Sequence, residues 1–202
     1  KTYEHIEPQQ VGNSRNIVIS DQAGKSNIIS RLKTIGIDIE ENDPKIKKLL
    51  DEVKDREFIG YSYDGADASF ELLARRIMGE IPRYILINEY DVSVKKNALG
   101  KIISSAKAHL EVDGEKIVCE GEGNGPVNAL DNAIRQNVDR LAKYSKYLKD
   151  LKLVDYKVRI LNTGTEAVTR VSIESTDSKS KNWFTIGVST NIIDASFKAL
   201  ID

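Results

Sequence analysis

Few side chains in this chain could carry chemistry, and their spacing narrows the choice further. His5, His109 and Cys119 are the only nitrogen or sulfur metal ligands, and they stand at no recognised ligand spacing. His109 and Cys119 fall in strand-like patterns, where a cysteine reads as a small buried hydrophobe. No Ser-His-Asp or Cys-His arrangement can be assembled, and the 31 carboxylates offer no pair that stands out from a solvated surface. Gly24-Lys25-Ser26 follows the apolar Ile17-Val18-Ile19 and opens a helical pattern, as a phosphate-binding loop would. That loop needs a further glycine five residues before Gly24, where this chain has Ile19. The tripeptide therefore reads as a turn with Ser26 as helix cap, and a nucleotide-using enzyme is the weaker reading.

What remains is the stretch Gly121 to Ile134, GEGNGPVNALDNAI. Gly121, Gly123 and Gly125 alternate and lead into Pro126. Glycine permits tight turns and close approaches, and proline suits a first helical position because its missing N–H has no partner there anyway. The spacing predicts a strand that ends here, turns tightly and presents an open helix N-terminus. The same grammar returns in Gly187 to Ser196, GVSTNIIDAS, at a shift of 187 − 121 = 66 residues, and Tyr156 lies 66 beyond Tyr90. The backbone N–H groups of such helix starts suit a small anionic group such as a carboxylate. Apolar strands of the second copy could wall a pocket for an aliphatic side chain. A purely structural module with an empty pocket is the bland alternative.

The elements that must position these turns follow from periodicity. Lys1 to Gln10 is a polar lead-in with Pro8. Ile28, Ile29, Leu32 and Ile35 then predict a helix that Gly36 ends. Asp43-Pro44 opens a second helix with Ile46, Leu49, Leu50 and Val53 on one face. Tyr61 to Gly65 is turn-like, and a third helix carries Phe70, Leu72, Leu73 and Ile77 up to Gly79 and Pro82. From Tyr84 the period becomes two: Val92 and Val94, then Ala106, Ala108, Leu110 and Val112, an Asp113-Gly114 hairpin turn, and Lys116 to Glu120. The helix after Pro126 places Val127, Leu130, Ile134, Val138 and Leu141 on one face. The second copy predicts strands at Val154, Tyr156, Val158 and Ile160, at Ala167, Thr169, Val171 and Ile173, and at Trp183 to Ile186. Asn162-Thr163-Gly164 turns between the first two, and Asn191 caps a last helix with Ile192, Ile193, Phe197 and Leu200. The fold class is therefore α+β: a small helical subdomain over residues 1–88, then a duplicated βββα two-layer domain over 89–202, with repeats at 89–148 and 153–202 and a boundary near Asn88.

Composition bounds the function. A chain of 202 residues can bury a real core. It begins at Lys1 rather than Met and reads as a piece of a longer protein. A net charge of −1 with 30% charged residues argues against nucleic-acid or membrane-surface binding, and the run Lys143 to Lys152 reads as a solvated helix end. The single cysteine favours a reducing, cytoplasmic compartment. No apolar run approaches the roughly 18 residues of a membrane span.

Beyond these patterns, GEGNGPVNALDNAIRQ, LVDYKVRIL, GTEAVTRVSIES and GVSTNIIDASFKALID together resemble the C-terminal regulatory domain of the 2-isopropylmalate synthase and homocitrate synthase family, in its citramalate synthase branch. TYEHIEPQQVGNSRNIVISDQAGKSNI and GYSYDGADASFELLARR resemble the linker subdomains that follow the catalytic barrel there. The resemblance implies a parent acyltransferase that condenses acetyl-CoA with a 2-oxo acid, using a divalent metal held in the barrel. The barrel's His-x-His is absent here, so the chain on its own is expected to be inert, with no catalytic residue, metal ligand or cofactor. It also implies a homodimer that binds a feedback amino acid, isoleucine or alternatively leucine, near the dimer interface. Carried over by motif, Gly123, Asn124, Gly125 and Pro126 would meet the ligand's polar end. Leu153, Tyr156 and Ile160 would wall its side chain, closed by Ala167, Thr169 and Ile192. Where some members have a tyrosine after the VG pair, this chain reads Asn13-Ser14-Arg15, and no such role is assigned.

Overall fold

The computed structural model describes residues 8–12, 24–137, 144–145, 150–162, 164 and 167–202. The expected strand Ile17 to Ile19, the helix positions Val138 and Leu141, and His5 and Thr163 lie outside the described residues.

Three helices build the helical unit, which precedes the first and second βββα units: α1 (Lys25–Thr34), α2 (Pro44–Phe58) and α3 (Asp67–Met78). The expected Ser26 cap is one correction. The first helical bonds run from the Asn27 and Ile28 N–H groups to the Gly24 carbonyl, so extended Gly24 is the cap and Lys25 the first helical residue. Asp43 does cap α2, its carboxylate accepting the Lys45 N–H at 2.8 Å. Gly36 and Gly79 end their helices with φ of 77° and 78°, conformations that cost other residues most. Ile28, Leu32, Ile46, Leu49, Val53 and Phe70 meet in one core. Tyr63, read from the sequence only as part of a turn, is 1% exposed and meets Phe70 edge to face at 6.0 Å. Burial pushes its phenol pKa well above the usual value.

The rest of the chain is the predicted duplication. β1 (Ile85–Lys96), β2 (Ile102–Val112) and β3 (Glu115–Gly123) form one antiparallel meander, followed by α4 (Pro126–Gln136). β4 (Lys152–Ile160), β5 (Thr169–Thr176) and β6 (Asn182–Ser189) form the second, followed by α5 (Ile192–Ile201). Gly121 and Gly123 lie within β3 rather than in a turn after it, and Ala167 precedes β5. β1 starts well before Val92, and Asn88 lies inside it at a register shift between Ile87 and Glu89. A second shift falls between Leu153 and Asp155, at Val154, which is 154 − 88 = 66 residues on. The bulge itself is duplicated.

Each bulge inserts one residue and so flips the alternation of its strand. Leu153 pairs with Ser175 and Tyr156 with Ile173, so both lie on the face of β5 that is buried. The expected Val154 is displaced from that face, and Leu153 takes its place. α5 sits between the sheets: Ala195 and Ala199 pack on Val171 and Ile173, whereas Phe197 packs with Ala108, Leu110 and Leu130 of the first unit. Ile186 of β6 joins the helical core instead, so the second sheet is covered on both faces.

Candidate functional site

The two strand-to-helix turns are held by glycines that touch helix backbone. A Cβ on Gly121 would lie 2.3 Å from the Ala133 nitrogen, and one on Gly187 would lie 2.0 Å from the Ala195 carbonyl oxygen and 2.8 Å from the Ala199 nitrogen. Ala199 lies 199 − 133 = 66 beyond Ala133, so one close contact is made twice. Neither glycine has a positive φ. Their service is room for a helix to lie on the strand, not turn geometry.

The helix starts themselves differ. Gly125 and Asn191 are the N-caps of α4 and α5 and occupy the same repeat position. Asn191 Oδ1 accepts the Ile193 N–H at 2.8 Å and the Asp194 N–H at 3.3 Å, and Asp194 adds a carboxylate to the first turn. Burial pushes the Asp194 carboxyl up, but hydrogen bonds from Lys198, Ser189 and Tyr90 outweigh it and hold it below the ordinary range. Tyr90 itself is pushed up, by burial first and by the Asp194 charge second. α4 has no side-chain cap and no acidic residue in its first turn. Asn128 spends its side-chain oxygen on the Asn124 N–H at 3.1 Å. One helix start is self-satisfied and the other is open, which is the condition for an anion.

Of the residues carried over from the sequence, the second unit brings Ile160 and Thr169 to one end of its sheet, while Tyr156 stands mid-sheet opposite Ile173 and Leu153 towards the other end opposite Ser175. Ile160, Thr169 and Ser189 stand in one register row, at the end of the sheet where the chain passes through Asn191 to Ile192. Tyr156 reaches the second turn of α5, its hydroxyl 2.7 Å from Ser196 Oγ, and Ser196 in turn donates to the Ile192 carbonyl at 2.6 Å. Ile160 is 68% exposed and Val158 and Ile192 are exposed as well, although Val158 and Ile160 pair with buried residues of β5. This apolar end of the sheet is therefore bare. Gly123, Asn124, Gly125 and Pro126 lie in the first unit, joined to this wall through the packing of α4 on α5.

The matches to known proteins agree with this architecture. Residues 64–202 match the LeuA allosteric (dimerisation) domain, well over half of the chain. The chain belongs to this family. Residues 1–58 match the homocitrate synthase post-HMGL domain-like family. Among curated relatives, the (R)-citramalate synthase of Aquifex aeolicus is 46% identical over 205 residues, covering 100% of this chain and 38% of that protein. Those of Geobacter sulfurreducens and Synechocystis sp. are 42% and 40% identical, again over 100% of this chain and 38% and 37% of theirs. The chain thus spans well under half the length of these relatives.

Within this LeuA-type domain the sequence reading missed two hydroxyls. Ser196 anchors Tyr156, and Ser104, fully buried on β2 beside Gly123, has an Oγ with no hydrogen-bond partner among the described residues. The repeat could have found the second, since Ser104 stands in the row of Val94 and Gly123 as Thr169 stands in that of Ile160 and Ser189. Lys25, the cation of the nucleotide reading, opens α1 and points its Nζ at Asn42 Oδ1, 3.5 Å away. Among the described residues no group of three or more His, Cys, Asp or Glu could hold a metal ion, and no helix is long and apolar enough to cross a membrane.

Proposed function

We propose that this chain is the regulatory part of a citramalate synthase, the enzyme that condenses acetyl-CoA with pyruvate toward isoleucine, and that it senses isoleucine for feedback inhibition as a homodimer. The observation that carries the reading is the asymmetry of the two helix starts. A carboxylate would take the open N–H groups after Gly125, with Gly123, Asn124 and Pro126 shaping the approach. The side chain would rest on Leu153, Tyr156 and Ile160, closed by Ala167, Thr169 and Ile192. Leu153, Ile160 and Ile192 are exposed on one chain, which fits a site completed between the two units at the contact with a second copy. The names of the relatives supply the branch, and the catalysis, with its divalent metal, would reside outside these residues.

Calorimetric titration with isoleucine and with leucine tests this directly. Isoleucine is expected to bind more tightly. Tighter leucine would move the chain to a leucine-regulated 2-isopropylmalate synthase, and no heat from either would sink the sensor reading.

A further inference from the structure

A cavity of about 570 Å³, within the range of small-molecule sites, opens between the helical unit, β1 and α5. None of the residues placed around the amino acid lines it. Along α5 it has two ends: Asp194 in the first turn and Asp202 past the last are 202 − 194 = 8 residues apart, or about 12 Å of helix. The Asp194 end is taken up by its own pairs. Lys198 Nζ lies 2.7 Å from the Asp194 carboxylate and donates to the Val188 carbonyl at 3.3 Å. Tyr90 adds its hydroxyl at 3.4 Å, and Glu89 adjoins it in sequence.

The Asp202 end holds more cation than anion. The Asp202 carboxylate accepts from Ser69 Oγ and from Arg76 Nη1, each at 3.0 Å. Arg56, held by Glu52 at 2.7 Å, lies over the Tyr61 ring at 5.6 Å, and both Arg56 and Tyr61 line the cavity. Arg83 stands 90 − 83 = 7 residues before Tyr90, and so at the end remote from Asp194. It is exposed and makes no ion pair among the described residues. Three guanidiniums thus meet two carboxylates, Asp202 and Glu52. Arg76 supplies the sharper sign. Its Nη1 is spent on Asp202, whereas its Nε is buried with no hydrogen-bond partner among the described residues. Nε and Nη2 form the side edge of a guanidinium, a fork that matches a carboxylate, and a buried charged donor left unpaired is costly. Between the two ends the lining turns apolar, with Ile85 and Ile87 of β1, Ile186 of β6 and Ile201 of α5.

The geometry points to a second ligand site in this cavity, for a small organic acid with an apolar body: its carboxylate sits on the Arg76 and Arg83 guanidiniums and its body on the four isoleucines. The surplus of cation at one end selects against a neutral ligand, because filling the cavity without an anion leaves Arg76 Nε unpaired. The isoleucines select against a bare inorganic anion, which would leave them uncovered. The site stands whether or not the pocket near Gly125 takes an amino acid, since the two share no residue.

Nuclear magnetic resonance of the whole chain tests the site, through the arginine Nε–H signals and the isoleucine methyls. Excess isoleucine is present throughout, so that an amino-acid pocket near Gly125 is already filled. The probe is 3-methylbutyrate, a branched aliphatic carboxylate, and acetate is the same anion without the body. 3-Methylbutyrate should shift the Arg76 Nε–H together with the Ile85 and Ile87 methyls, and acetate should need at least about tenfold more to do so, for want of buried carbons. Arg83→Gln changes an exposed side chain and should leave the far-ultraviolet circular dichroism as it was. It should weaken 3-methylbutyrate by about tenfold, the loss of one hydrogen bond to a charged group. An Arg76 Nε–H that never moves overturns the site. Acetate as effective as 3-methylbutyrate overturns the ligand class, and full affinity in Arg83→Gln overturns the arginine end. If isoleucine itself leaves every signal unmoved, the amino-acid reading falls, while the Arg76 signal still decides this site.

Discussion

Gly125 and Asn191 hold the same position in two copies of one turn and treat a helix start in opposite ways. Asn191 fills its own N–H groups, whereas Gly125 leaves them to another acceptor. Nothing within 4 Å opposes a side chain at Gly125, and its φ of −157° is extended backbone that any residue adopts. Gly125→Asn should therefore cap α4 as Asn191 caps α5, stabilising the chain by a few tenths of a kcal/mol. The same change should weaken isoleucine binding by on the order of tenfold, because it displaces hydrogen bonds to a charged group worth about 1.5–3 kcal/mol. Unchanged affinity in a calorimetric titration would place the carboxylate elsewhere. Gly187 tests the other use of glycine. Gly187→Ala forces a methyl against the Ala195 carbonyl, which is backbone and cannot swing aside, so α5 must lift from β6. A loss of about 1–3 kcal/mol in urea unfolding, followed by the fluorescence of Trp183, is expected.

At the scale of elements, the first turn of α5 makes a prediction about acid. The Asp194 carboxyl sits below its ordinary range when folded, so its stabilisation is present above the unfolded pKa of about 3.9 and fades as pH falls through the folded value. Thermal melts of Asp194→Asn should lie below those of the parent chain at pH 7, with the gap closing below about pH 4; a gap that stays constant would show the carboxylate charge to be irrelevant. How much of this architecture could be read in advance depended on whether a local rule was broken. Asp43-Pro44 and the Asp113-Gly114 turn obey theirs, and the structure has them as read. The strands with bulges do not, because one inserted residue at Asn88 or Val154 reverses the parity of everything before it. Ile85 and Ile87 consequently fall out of step with Tyr90 and Val92, and an alternation read from the sequence starts β1 late. Tyr63 is hidden for a different reason: a tyrosine in a Ser/Asp/Gly-rich stretch carries no periodic signal, and only the three-helix core shows that it is filled. Around the candidate site the duplicated glycines and the Asn191 cap were legible, but the roles of Ser196 and Ser104 were not, since a hydroxyl's partner, or its lack of one, is a tertiary fact.

For the whole molecule the unequal cover of the two sheets is the decisive feature. The inner face of the first sheet receives α4 and also Ile193, Phe197 and Leu200 of α5, whereas the inner face of the second receives α5 through small residues, Ala195 and Ala199. β4 is one of the two edge strands of that second sheet and keeps Val158 and Ile160 exposed, as Ile192 is at the start of α5. A contiguous apolar face on an edge strand invites strand pairing or another chain, and a domain of a family named for dimerisation has the second copy as its natural occupant. Ile160→Glu places a charge where that copy would bury it, at a cost of several kcal/mol for an unpaired ion, while the exposed side chain asks nothing of the isolated fold. In sedimentation velocity the parent chain should run as a dimer and Ile160→Glu as a monomer with the same far-ultraviolet circular dichroism. The variant should also lose isoleucine affinity, because Ile160 is itself placed in the pocket wall. A parent chain that is monomeric at all concentrations would refute the interface, and a monomeric variant with full affinity would keep the interface but take Ile160 out of the pocket wall.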